Sequence, residues 1–281
     1  MAEASFAHAA QALRRGDRDR YLSTLVLTGA HRDAVTALYA FNADVASIRE
    51  RVSDPAPGEI RLQWWSDALE GQGHGAVRQN PVADALLDTI ARYNIPAGTL
   101  LRLIGARRFD LYDDPMPDLE SFEGYAGETV STLYQLAAMV LNDGQTIEAG
   151  DAAGHLGVAH AMIGHLRAFG HMSAQGRIML PWPIFEANGV REGEIFSGTE
   201  SEGMVEALGQ IGELASKHLN KAEAAIHALP GRLKPAFAPI AVLKAQLALY
   251  QRRSTAPFGV APDDPDWRKI ARLAWWNWRN R

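Results

Sequence analysis

The chain has 281 residues, of which 47% are hydrophobic and 22% charged, an ordinary balance for a soluble globular protein and enough chain to bury a large core without staples. There is no cysteine, so disulfides, thiolate zinc sites, iron–sulfur clusters and cysteine nucleophiles are excluded. The net charge of −5 argues against a nucleic-acid partner, and no apolar run approaches the ~18 residues of a membrane-spanning helix.

Apolar residues recur at helical spacing almost everywhere and alternate almost nowhere. Met1 to Arg15 carries Glu3 and has no long apolar stretch, so it does not read as a secretory signal. Val35, Leu38, Tyr39, Val45, Ile48 and Val52 form a first helical stripe. Asp54-Pro55-Ala56-Pro57-Gly58 breaks it before a segment carrying Trp64 and Trp65, and Gly71, Gly73 and Gly75 form a loop. Shorter helices are predicted near 80–92, 97–112 and 155–170. A turn at 113–117 precedes a second stripe of Phe122, Tyr125, Thr129, Leu133, Leu136 and Val140. Pro181-Trp182-Pro183 ends an irregular stretch. A third stripe runs through Leu208, Ile211, Ala215, Leu219, Ala222, Ile226 and Leu229. After Pro230-Gly231 a fourth takes Ile240, Leu243, Leu247 and Tyr250, and 257–265 is a loop. The pattern predicts a single all-α domain over 1–281 with about eight to ten helices.

Generic motifs give no self-evident catalytic centre. The glycines at 71–75 follow no strand and lack a Lys-Ser/Thr pair, so they do not read as a phosphate loop. His155, His160, His165 and His171 walk around a helix; His160 and His171 share a direction but lie about 16 Å apart, too far to hold one metal. Asp113, Asp114, Asp118, Glu120 and Glu123 read as a solvated loop entering a helix whose N-terminus favours acids. A basic, tryptophan-rich helix is expected near 266–281. Its Trp275, Trp276 and Trp278 either pack on the body with arginines outward or face a membrane or a partner.

At longer range the chain resembles the squalene/phytoene synthase family. Tyr21-Leu22-Ser23-Thr24-Leu25 precedes Ala37-Leu38-Tyr39-Ala40-Phe41, and Trp64-Trp65, Pro81-Val82, Phe109-Asp110-Leu111 and Tyr125-Ala126 follow. Leu166-Arg167 and Gly176-Arg177-Ile178-Met179-Leu180-Pro181 complete the order, over roughly residues 20–260. The resemblance implies an all-α isoprenoid-synthase fold with a central cavity. Active members join two prenyl diphosphates head to head, and two aspartate-rich motifs on facing helices hold Mg²⁺ against the leaving diphosphate. That ion requires hard oxygen ligands.

At the first motif, Asp-Asp-x-x-Asp, this chain has Ala46, Ser47 and Glu50. Asp44 is nearby but points about 200° away around the helix. At the second, Asn-x-Leu-Arg-Asp-x-x-x-Asp, it has Gly164, Ala168 and Met172, with Ala161 in place of a glutamine and Met179 in place of a tyrosine. No Asp or Glu occurs from 160 to 180. Within the family this pattern is similar to the respiratory complex I assembly factors, which share Ala40-Phe41-Asn42, Arg61-Leu62-Gln63-x-Trp65, Leu166-Arg167-Ala168 and Leu180-Pro181.

The resemblance therefore implies a non-catalytic assembly factor. Its expected partner is a complex I subunit or assembly intermediate. An apolar isoprenoid or lipid ligand is expected in the cavity, and a membrane surface is a further expected partner. No cofactor is expected. A cytoplasmic bacterial protein, peripheral to the inner face of the membrane, is expected in preference to a mitochondrial matrix one. By family position, Tyr39, Asp44, Glu50, Tyr125, Arg167 and Arg177 are the cavity or ligand-binding candidates; no catalytic or metal-binding residue is assigned. The alternative is an active head-to-head prenyl transferase, in which Mg²⁺ would be needed and Glu50, Asp44, Arg167, Tyr39 and Tyr125 would do the work.

Overall fold

The computed structural model describes residues 2–73, 75–253 and 256–280. Among them there are fifteen α-helices and no strand. Helices α1 (Ala2–Gly16), α2 (Arg18–Thr24), α3 (Gly29–Ala46), α4 (Pro55–Glu70), α5 (Pro81–Tyr93) and α6 (Ala97–Arg107) make the first half. Next come α7 (Leu119–Ala126), α8 (Thr132–Leu141), α9 (Gly150–Arg167) and the short α10 (Phe169–Ala174), α11 (Trp182–Ala187) and α12 (Glu192–Ser197). The long α13 (Glu202–Ala228), α14 (Ile240–Arg253) and α15 (Asp266–Arg279) complete the order.

Most boundaries have a local cause. Asn80 caps α5 by accepting from the N–H groups of Val82 and Ala83, with Pro81 in the first turn, where its missing N–H costs nothing. Gly71 ends α4 at φ 74°, a conformation that suits glycine. Asp118 caps α7 through the Ser121 N–H, which holds the Asp118 carboxyl below its usual value. Ser201 caps α13.

The second and fourth predicted stripes lie in helical segments and the third does so up to Ile226, with Leu229 just past the end of α13, but the helix count exceeds the eight to ten expected. Segment α1 and the six-residue helices α10 to α12 are too short or too alanine-rich to stand out by periodicity, and Trp182 starts α11 where an irregular stretch was expected. The first stripe does not stay helical to Val52. Helix α3 stops at Ala46, and a 3₁₀ turn, Arg49–Arg51, follows. The second stripe crosses a π turn at Gly127–Ser131 that joins α7 to α8. Such turns insert a residue without breaking the apolar face.

Helix α9 is the axis of the molecule. Ala152, Ala153, Leu156, Gly157, Ala159, Met162, Ile163 and Leu166 are among its buried residues, so apolar side chains occupy nearly all its sides. Its most extensive neighbour is α13, and the π turn and α8 also pack on it. The π turn approaches so closely that Ser131 Oγ donates to the Gly154 carbonyl at 3.1 Å. A Cβ on Gly157 would fall within 2.5 Å of the Ser131 backbone. Gly157→Ala should therefore destabilise the fold by about 3 kcal/mol, the upper end of overpacking costs, in urea unfolding. A change under about 0.5 kcal/mol would mean that the two helices do not meet as described.

Candidate functional site

The cavity between α2, α9 and α14 has a volume of 170 Å³. Asp19, Arg20, His160, Gly164, Arg167 and Gln246 supply most of its polar rim, and Pro239, Val242 and Leu243 its apolar wall. Beneath it lies an aromatic floor. The Tyr39 ring sits under the Arg20 guanidinium at 5.6 Å, and Tyr134 stacks on Phe237 and hydrogen-bonds His160 Nδ1 at 2.8 Å. Burial pushes the Tyr39 hydroxyl up to about 12, with Arg20 pulling the other way.

An ionic lattice closes the rim. Asp17 caps α2 and pairs with Arg20 at 2.9 Å. Lys269 of α15, whose side chain is only 5% exposed, bridges Asp19 at 2.7 Å and Asp263 at 2.5 Å. Burial disfavours its ammonium, yet the two carboxylates outweigh that and raise its pKa. Arg167 pairs with Asp263 at 3.0 Å and reaches Asp19 at 3.7 Å, and Gln246 donates to Asp19 at 2.7 Å. The lattice thus ties α2, the end of α9, α14 and α15 into one rim.

A second polar cluster is buried between α3, α6, α7 and the segment after α10. Asp110 accepts from the Tyr125 hydroxyl at 2.6 Å and from Arg107 at 3.0 Å. Arg107 also donates to the Tyr125 oxygen at 2.7 Å and reaches Asn42 at 3.5 Å. Burial, opposed by Arg107, raises the Tyr125 pKa so far that the hydroxyl stays protonated. Arg177 donates to the Asp110 carbonyl at 3.2 Å, and its guanidinium rests against the sulfurs of Met172 and Met179 at 3.6 Å.

The six sequence candidates divide accordingly. Arg167 lines the cavity, and Tyr39 packs behind its Arg20 without lining it; Tyr125 and Arg177 meet through Asp110 in the second cluster. Asp44 and Glu50 join neither. Asp44 accepts from Trp65 Nε1 at 2.9 Å and Arg51 at 3.0 Å beside a shallow surface pocket. Glu50 is exposed on the 3₁₀ turn, because α3 ends four residues before it. Neither lines the cavity between α2, α9 and α14. Asp19, Arg20, His160, Gln246 and Lys269 were missed at the rim, and Arg107 and Asp110 in the second cluster. Asp110 stood in a quoted family segment, but only the fold brings Tyr125 and Arg107 onto it.

The four clustered histidines diverge. His155 meets His218, His160 meets Tyr134, His165 packs edge-on to Phe122, and His171 meets Gln175. The positions expected to carry metal-binding carboxylates are Ala46, Ser47 and Glu50 on one side and Gly164, Ala168 and Met172 on the other. Glu50 is turned out to solvent, Ser47 donates to the Asp44 carbonyl, and Ala168 forms the turn between α9 and α10. This donor set does not fit Mg²⁺, which needs several hard oxygens around one point. Among the described residues no group of three or more His, Asp or Glu side chains is placed to hold a metal ion.

Burial, chiefly, lowers His160 to about 3 and His165 to about 4; Arg20 and Arg167 add to it at His160, and Arg107 and Arg177 at His165, where Asp110 opposes them. An unfolded histidine titrates near about 6.5, so below that pH the unfolded chain binds more protons than the folded one. The contribution of these two rings should be constant above about pH 6.5 and fall below it, by up to about 1.4 kcal/mol per pH unit for each ring, until the folded values are reached. His160→Gln should flatten unfolding free energy against pH between about pH 6 and 4; an unchanged slope would contradict a neutral, buried His160.

The family described as squalene/phytoene synthase matches residues 13–276. The human and bovine proteins named NADH dehydrogenase (ubiquinone) complex I, assembly factor 6 are each 28% identical over 240 residues, covering 85% of this chain and 72% of theirs. Phytoene synthase 1, chloroplastic, of Arabidopsis thaliana is 27% identical, over 63% of this chain and 43% of its own length. Among solved structures, a dehydrosqualene synthase in complex with ligand superposes with a TM-score of 0.81 at 17% identity, covering 97% of this chain and 95% of that one. Squalene synthase HpnC from Alicyclobacillus acidocaldarius gives 0.76 at 19% identity, covering 92% and 97%. The fold is the all-α isoprenoid-synthase fold.

Proposed function

The chain belongs to the squalene/phytoene synthase family, and from that premise we propose that it is a non-catalytic member serving the assembly of respiratory complex I. The observation that carries the reading is the absence of a carboxylate pair from both facing motif positions, where small or apolar side chains and an outward-facing Glu50 stand instead. A departing diphosphate must have its charge neutralised, and a single remaining carboxylate outside the cavity offers no route to that. The likeness to proteins named complex I assembly factor 6, over most of the chain, supports the assembly role.

The reading extends to an apolar ligand and a membrane location. Pro239, Val242 and Leu243 offer a prenyl or acyl chain an apolar wall. The 170 Å³ beside them is below the ~300–1,000 Å³ of typical ligand pockets, so such a chain enters only as the rim or the aromatic floor moves. The site of action is the cytoplasmic face of the membrane that carries complex I.

Incubation with farnesyl and geranylgeranyl diphosphate, with and without Mg²⁺, tests the non-catalytic part. No diphosphate release and no coupled product is expected with either substrate. Mg²⁺-dependent turnover would contradict the reading and restore the prenyl transferase alternative.

A further inference from the structure

Helix α15 packs on the body in an unusual sense. Its buried residues are Lys269, Leu273 and Asn277, one stripe four residues apart, with Leu273 packed against Leu22, Ala238 and Val242. Of its tryptophans only Trp276 turns inward, half-buried against that cluster. Trp267, Trp275 and Trp278 are 65%, 62% and 66% exposed, so the arrangement with tryptophans packed on the body does not hold for them. At about 100° per residue these three fall on one outward face with Ala271 and Ala274, flanked by exposed Ile270. Trp275 and Trp278 lie side by side, ring centroids 5.1 Å apart.

The neighbouring outward sector carries Arg268, Arg272 and Arg279, all exposed. The helix's one acid, Asp266, points back to Arg18 of α2 at 2.5 Å. Asp264, just before the helix, pairs at 3.4 Å with Arg268 and 3.2 Å with Arg272. Arg14 and Arg18 lie over the Tyr21 ring, which packs on the same cluster as Leu273, so the basic character continues onto α1 and α2. The whole chain is acidic, and this face is its opposite. No helix among the described residues is long and apolar enough to cross a membrane.

We propose that α15 docks in the plane of an anionic phospholipid surface, with Trp267, Trp275 and Trp278 in the interfacial layer and Arg268, Arg272 and Arg279 on lipid phosphates. An apolar band beside a basic band suits such a surface, because indole rings favour the headgroup boundary and arginine matches phosphate geometry. Charge complementarity favours an anionic bilayer as the occupant: three exposed arginines border the tryptophan face of a chain that is acidic overall. Lys269 fixes which face is outward: its two carboxylates hold the opposite side of the helix to the cavity rim. The proposal holds whichever complex the protein serves, so its failure would leave the assembly reading standing.

The test is flotation of the full chain with vesicles of phosphatidylcholine alone and of phosphatidylcholine with cardiolipin. Binding to the cardiolipin vesicles is expected, weakening with added salt. Trp267→Ser, Trp275→Ser and Trp278→Ser combined should weaken it at least about tenfold with an unchanged unfolding midpoint, since none of the three is buried. Arg268→Ser, Arg272→Ser and Arg279→Ser combined should abolish the preference for cardiolipin. No binding by the wild type, equal binding by the tryptophan variant, or a dimer in solution that the tryptophan variant dissolves would overturn the proposal; the last would assign the face to a second copy of the chain.

Discussion

Helix α9 is buried along nearly its whole length, and what it leaves open at its end determines the rest of the molecule. Its apolar sides take up α13, α8 and the π turn, with Gly157 allowing the closest approach. Apart from His155, which meets His218 of α13, its inward-turned polar groups lie in its second half. His160, Gly164 and Arg167 face the cavity, and His165 faces Phe122 beside the Asp110 cluster. Every one of these positions is cationic, neutral or bare. The charge balance of the cavity is therefore supplied from other elements: Asp17 and Asp19 before and within α2, and Asp263 ahead of α15.

On the non-catalytic reading proposed above, this is the opposite of the electrostatics that prenyl diphosphate chemistry requires. A synthase cavity gathers carboxylates so that metal ions can meet diphosphate. Here the carboxylates are already spent on side-chain cations, Asp19 and Asp263 on Lys269 and Arg167, and Asp110 on Arg107. At Met172, where the resemblance places an aspartate, the neighbouring charge is the Arg177 guanidinium against a thioether. Such self-neutralised networks stabilise one arrangement of helices. Breaking one partner leaves a buried charge, which is costly, so the lattice also fixes how α15 lies across the rim.

Much of the fold was legible because its long helices carry their apolar stripes on one face; Leu208 to Ile226 and Ile240 to Tyr250 lie buried as expected. The short helices α10 to α12 were not, since six residues hold too few turns for a period to show. The end of α3 was misread for a related reason. Ile48 is buried and keeps the stripe going, but the backbone has already left the helix, and this swings Glu50 into solvent. At the site, Tyr39, Tyr125, Arg167 and Arg177 could be located through family position alone. Their polar partners lie far off in sequence, Tyr125 15 residues from Asp110 and Arg177 67 residues from the same Asp110, and no local spacing encodes such contacts.

The assembly role is tested most directly in the cell from which the sequence comes. The gene would be deleted, and assembled complex I then quantified by native electrophoresis with NADH dehydrogenase staining, alongside another respiratory complex as control. The account predicts loss of assembled complex I with the control complex unchanged, and recovery when the wild-type chain is restored. Normal complex I in the deletion strain would contradict it.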